Sequence, residues 1–305
     1  MIEHHRGNSG DFRELLKHFV ECEEFRLIRS ANPAQKGPVS LGALDGLPAN
    51  PIDLDLTPVQ RQTLWEHVGN VWSRLGAIDP YWSVLTHEEF RLDNMTDGER
   101  IDRFYESGRS DLDRVEKYLA RHGRRLPERG ICVDYGCGLG RTTLWLARRC
   151  ERVLGLDVSQ AHLSLARERL AAAGASNVTC HLTRRAQDLA RLRGIEFFYS
   201  VIVLQHNPPP LIAEILSAVF NGLNPGGCAF FQVPTYAVNY RWRYDDYLPD
   251  AVAVGGMEMH VLPQAKIFDL AAKSGCVPLE VQPDGWTGIA DGISNTFLFA
   301  KPAAA

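Results

Sequence analysis

Ile131-Cys132-Val133-Asp134-Tyr135-Gly136-Cys137-Gly138-Leu139-Gly140-Arg141 decides the reading of this chain. The stretch opens on a short apolar run, the pattern of a buried strand. An acid follows, then three glycines at alternate positions. Thr142-Thr143-Leu144-Trp145-Leu146-Ala147-Arg148-Arg149 comes next, with helical spacing and a basic end suited to a helix C-terminus. A strand, a glycine turn and a helix in this order aim backbone N–H groups and a positive helix end at a ligand.

The following strand narrows the ligand. Arg152-Val153-Leu154-Gly155-Leu156-Asp157-Val158-Ser159 is apolar and closes on an acid. Asp157 lies about twenty residues after the first glycine, the separation at which a second-strand carboxylate reaches a ribose diol. The glycines run G-x-G-x-G, and Arg141 stands where a dinucleotide fingerprint needs a small residue. A nucleoside ligand therefore fits better than a pyrophosphate-bearing one.

Four segments together resemble the class I S-adenosylmethionine-dependent methyltransferases. Residues 133–141 (VDYGCGLGR) match that family's first motif, and 155–159 (GLDVS) match the acidic end of its second strand. Residues 196–206 (EFFYSVIVLQH) resemble its fourth strand, and 223–231 (LNPGGCAFF) its turn into the fifth. The resemblance covers roughly 110–300. It implies an α/β fold, with a Rossmann-like seven-stranded mostly parallel sheet in the order 3-2-1-4-5-7-6 flanked by helices.

The resemblance also implies S-adenosyl-L-methionine as cofactor and S-adenosyl-L-homocysteine as product. Asp134, Gly136, Gly138 and Gly140 are the implied holders of the methionine end, and Asp157 with Val158 of the ribose. The polar turn after the third strand should border the adenine. The family's early acid is missing there, so Gln187 is carried as the contact with Arg184 and Ala186 left open. Ser200, Val201 and Gln205 lie at the carboxyl end of the fourth strand, where ligands bind in open parallel sheets. No metal-ligand pattern is evident.

Composition sets wider limits. The chain has 305 residues, more than one such domain needs. A net charge of −4 does not suggest a nucleic-acid-binding surface. No apolar run is long enough to span a bilayer, and the first residues carry no hydrophobic signal core. Seven cysteines without a CxxC pair suit a reducing cytoplasm.

Periodicity supplies the rest of the outline. An N-terminal helical extension is expected over 1–95, followed by a core over 96–302. In the extension, 11–29 reads as an amphipathic helix and 31–58 as a linker. A second helix should start at Thr57-Pro58 and stop at Gly76. Asp79-Pro80-Tyr81-Trp82-Ser83-Val84-Leu85 then reads as an aromatic anchor for these helices or as a homodimer contact. Helices are expected over 97–107 and 111–122, with Tyr105, Gly108 and Arg109 near the cofactor. An insertion over 234–262, rich in Tyr, Trp and Arg, should arch over the mouth as a lid, and the 283–288 loop should face it too.

Methyl transfer to a hydroxyl needs a base, for which His is suited near neutral pH. His206, just past the fourth strand, is the first candidate, with loop organisation as its other reading. His260 in the insertion is the second. Asp245, Asp246 and Glu258 are candidates to hold substrate hydroxyls. The leading expectation is a small-molecule O-methyltransferase acting on a hydroxyl of a sugar, glycan precursor or natural product. N- or C-methylation, a nicotinamide-dependent oxidoreductase and a non-catalytic scaffold are the alternatives.

Overall fold

The computed structural model describes residues 49–190, 192–248, 256–289 and 291–303. The helix expected over 11–29 lies outside them. Seven strands form one sheet: β1 (Ile131–Tyr135), β2 (Arg152–Asp157), β3 (Val178–Leu182), β4 (Ile195–Ser200), β5 (Leu223–Ala237), β6 (Val277–Asp284) and β7 (Gly292–Ala300). Their order is β3-β2-β1-β4-β5-β7-β6, as expected. β1 to β5 pair in parallel, and β7 runs antiparallel between β5 and β6.

Alternation along the central strands explains why both faces are covered. In β4, Phe198 points to one apolar cluster, while Phe197 and Tyr199 point to the other. Val133 and Cys132 in β1 divide the same way. A strand apolar on both sides is stable only between two helical layers. The helices are α1 (Pro58–Ile78), α2 (Pro80–Val84), α3 (Gly98–Arg121), α4 (Thr143–Ala147), α5 (Gln160–Ala172), α6 (Ala186–Ala190), α7 (Pro209–Gly222) and α8 (Gln264–Lys273).

α1 starts where its sequence dictates. Thr57 and Gln60 form a reciprocal capping box ahead of Pro58. The helix does not stop at Gly76 but continues to Ile78. There the glycine lies against the His162 ring of α5, only 2.7 Å from where a Cβ would sit. Leu64, Trp65 and Val68 of α1 belong to the same buried cluster as β1 and β4. Trp65 Nε1 also donates to Glu214 of α7 at 3.1 Å.

The two helices expected over 97–107 and 111–122 are one continuous helix, α3. Gly108 does not break it. A Cβ at 108 would lie 2.3 Å from the Arg141 carbonyl oxygen, so the missing side chain lets α3 press against the glycine turn. Close approach, and not chain reversal, is the reason for glycine at this position.

The 234–262 insertion also departs from expectation. Its first residues extend β5, which pairs with β7 as far as Ala237. Trp242, Val261 and Leu262 are buried, and Trp242 and Leu262 join the α1 side of the core. Asn50 straps this region to the N-terminal segment through bonds with Ala237 and Tyr240. The physical cause is its aromatic content: these side chains gain more from burial against α1 than from standing over solvent.

Candidate active site

One cavity of about 310 Å³ opens beside the carboxyl ends of β1, β2 and β4. The glycine turn forms its floor. Gly136 and Gly138 line it, whereas Gly140 packs behind them against Leu170 and Ala166 of α5. Gly136 has φ +76°, and a Cβ there would lie 2.3 Å from both Val203 methyl groups. An L side chain would be strained at this φ and would collide with its neighbour.

Asp157 sits at the end of β2 and lines the cavity. Its Oδ2 accepts from the Gly138 N–H and its Oδ1 from the Ser159 N–H, each at 2.8 Å. The carboxylate thus ties the glycine turn to β2 while facing the cavity. Each oxygen has lone-pair capacity beyond one such bond, so the same group can meet a ribose diol. Replacing Asp157 with Ala is expected to weaken S-adenosylhomocysteine binding by about 1–3 kcal/mol through loss of charge-assisted hydrogen bonds. Calorimetry showing unchanged affinity would remove Asp157 from the cofactor site.

Asp134 is buried at the end of β1 and also lines the cavity. Thr143 of α4 donates to its Oδ2 at 2.6 Å. Burial pushes its carboxyl up to about 7, against the opposing effects of Thr143 and Arg141. Desolvation disfavours the charged form, and a cationic ligand alongside would restore it.

At the other end, β4 gives way to Val201, Ile202 and Val203, all on the cavity wall. Ile202 has φ +57°, unusual for a β-branched residue. Gln232 holds it there, its Oε1 accepting from the Ile202 N–H at 3.0 Å. His206 and Asn207 follow and line the cavity as well. His206 Nδ1–H donates to the Glu258 carbonyl oxygen at 2.8 Å, which leaves Nε2 as the acceptor nitrogen. Burial holds the His206 imidazole down at about 4, with His260 adding to that effect and the Glu258 carbonyl opposing it. The ring is therefore neutral at physiological pH.

Other expected site residues stand elsewhere. Ser200 and Gln205 are buried but do not line the cavity; Gln205 accepts from Gln232 at 3.0 Å. Gln187 lies on the short α6 and is also absent from the lining. His260 is no second base at the cavity: its Nε2–H donates to Glu258 at 3.1 Å and its Nδ1 accepts from Tyr240 at 3.0 Å. Glu258 is likewise engaged by its neighbours, and Asp245 and Asp246 are exposed away from the lining. None of the described residues of 234–262 lines the cavity.

Tyr105, Gly108 and Arg109 do not line it either; Ser107, Asp111 and Arg114, spaced along one face of the same helix α3, line it instead. Asp111 Oδ2 accepts from Arg141 at 2.5 Å, and the Arg114 guanidinium lies 4.2 Å from the Trp286 ring centre. Trp286 brings the 283–288 loop to the mouth, as expected. Periodicity gave no warning of Val68, Trp72 and His162. The aromatic segment both anchors and lines, because Trp82 is buried under Arg91 while Ser83, Val84 and Leu85 face the cavity.

Sheet order, glycine turn and strand-end acids are those of the class I S-adenosylmethionine-dependent methyltransferase fold. Residues 132–227 match the family model described as a methyltransferase domain. The chain is 26% identical over 117 residues to a ubiquinone biosynthesis O-methyltransferase of Stutzerimonas stutzeri, covering 38% of this chain and 47% of that protein. It is 36% identical over 111 residues to a trans-aconitate 2-methyltransferase of Variovorax paradoxus, covering 36% and 40%. The chain thus spans less than half the length of these curated relatives. Among solved structures, the magnesium protoporphyrin IX methyltransferase of Synechocystis with bound S-adenosylhomocysteine shares the fold. Its TM-score is 0.52 at 17% identity, covering 77% of this chain and 98% of that one.

Proposed function

We propose that this protein transfers a methyl group from S-adenosylmethionine to a hydroxyl of a small molecule. The observation that carries this reading is the pairing, in one cavity, of the glycine turn and Asp157 with a neutral His206 whose proton is fixed on Nδ1. When bound, the cofactor supplies a methyl group already activated on a sulfonium. Asp157 and the turn would hold its nucleoside, and Asp134 its cationic end. Val68, Trp72 and Leu85 narrow the cavity on the side of α1 and α2 and limit water, so the 49–95 region acts as a cap on the site.

The chain's contribution to the chemistry is placement and one proton transfer. An in-line displacement needs the acceptor held close to the reacting carbon. Trp72, Ile202 and Trp286 offer apolar surface for that acceptor. His206 Nε2 would then take the hydroxyl proton. The name of one curated relative, an O-methyltransferase, supports oxygen as the methyl acceptor. No helix among the described residues is long and apolar enough to cross a membrane. The six cysteines among the described residues are free, which suits the cytoplasmic location included in this proposal.

Calorimetry tests the reading directly: S-adenosylmethionine should bind and NAD(H) should not. Affinity should also depend on pH in a defined direction. Without ligand, Asp134 titrates at about 7. A cationic ligand lowers that value, so binding releases a proton. Affinity should therefore rise as pH climbs to about 7 and level off above it. Titrations in buffers of different ionisation enthalpy would reveal the released proton, and a flat profile from pH 5 to 8 would contradict it.

A further inference from the structure

Between α1 and the carboxyl end of β4 lies a partly buried polar cluster that does not line the cavity. Its centre is the Glu258 carboxylate. His67 Nε2–H of α1 donates to Oε1 at 2.9 Å, His260 Nε2–H donates to Oε2 at 3.1 Å, and the Tyr247 hydroxyl donates to the same oxygen. Tyr240 donates to His260 Nδ1, so both ring nitrogens of His260 are engaged. Burial alone would push the Glu258 carboxyl up, but these donors outweigh it and hold the group at about 2.

The main chain of the same residues is clamped to the segment carrying His206. The Glu258 carbonyl accepts from His206 Nδ1–H at 2.8 Å, and the His260 N–H donates to the Gln205 carbonyl at 2.7 Å. α1 reaches His206 a second time through Trp72, whose ring centre lies 5.0 Å from the imidazole. The geometry points to Glu258 as a positioning residue: anchored by His67, Tyr247 and His260, it presents its backbone carbonyl to His206 Nδ1 and so keeps Nε2 as the acceptor nitrogen. This inference rests on the proposed role of His206. It also gives the N-terminal helix α1 a part in orienting the base.

The physical reasoning is that a carbonyl can fix a tautomer only if the carbonyl itself is fixed. Residues 256–260 form no helix or strand, so they draw no order from a ladder of backbone bonds. The three donors on the Glu258 carboxylate supply that order instead. Hydrogen bonds to a charged group are the stronger kind, and partial burial reinforces them. The titratable groups facing His206 from these elements are Glu258 and His260. Without the anchor, water gains access to the imidazole and the Nδ1 bond becomes one of several options.

Nitrogen-15 NMR of histidine-labelled protein saturated with S-adenosylhomocysteine tests this without an acceptor. In the parent protein His206 should show the Nδ1–H tautomer and remain unprotonated down to about pH 5. In Glu258→Gln, which removes the charge at similar size, the two tautomers should mix. His67→Gln, which cuts the same anchor from α1, should mix the tautomers too and serves if Glu258→Gln fails to fold. S-adenosylhomocysteine affinity should stay unchanged in both. An unaltered His206 tautomer in the folded variants would overturn the inference. Loss of S-adenosylhomocysteine binding in the parent protein would instead overturn the proposed function.

Discussion

His206→Ala is expected to lower methyl transfer by roughly 10²–10⁴-fold, the usual contribution of a positioned general base. Affinity for S-adenosylhomocysteine should be unaffected, because the proposed nucleoside site, the glycine turn and Asp157, does not use the ring. The pH profile gives a second check. His206 accepts a proton only while neutral, and burial keeps it neutral down to about 4. Turnover in the parent protein should therefore not fall on the acid side until pH drops below about 5. An acid limb near 6.5, or near-normal turnover in the alanine variant, would reduce His206 to an organiser of its loop.

The second large effect is expected at the floor of the cavity. Gly136→Ala places a Cβ at φ +76°, 2.3 Å from both methyl groups of Val203. The left-handed backbone costs about 1–2 kcal/mol, and overpacking typically costs about 1–3 kcal/mol more. Stability should fall by about 2–5 kcal/mol on these two contributions. S-adenosylhomocysteine affinity should drop with it, since the turn cannot keep its shape. A double-mutant cycle separates the causes. Adding Val203→Ala should recover the steric share and leave the backbone share. Full recovery would mean that the backbone conformation at 136 is unimportant.

Much of this site was legible because its parts are neighbours in sequence. Asp134, Gly136, Gly138 and Asp157 come from two successive strand ends, so a local pattern contains them. The same locality explains two misreadings. A glycine inside a helical stretch looked like a stop at 76, and Gly108 fell between two expected helices. In both cases it marks a close approach by a distant residue, His162 in one and Arg141 in the other. The 234–262 insertion was assigned to the mouth from its place after a strand's carboxyl end, but its first residues continue β5 to Ala237. Trp242 and His260 are buried, and Tyr240, Tyr244 and Tyr247 pack, partly buried, on the core cluster that includes α1.

From its sequence alone this protein is bound to a parallel sheet with a glycine turn and an acid at the next strand end. Short-range order is enough for that, because hydrophobic alternation and turn chemistry act over a few residues. Only the tertiary structure decided that α1 and α2 wall the cavity, that Trp286 reaches its mouth, and that His206 carries its proton on Nδ1. Each of these depends on residues far apart in the chain, brought together by burial of apolar surface that no local pattern can locate.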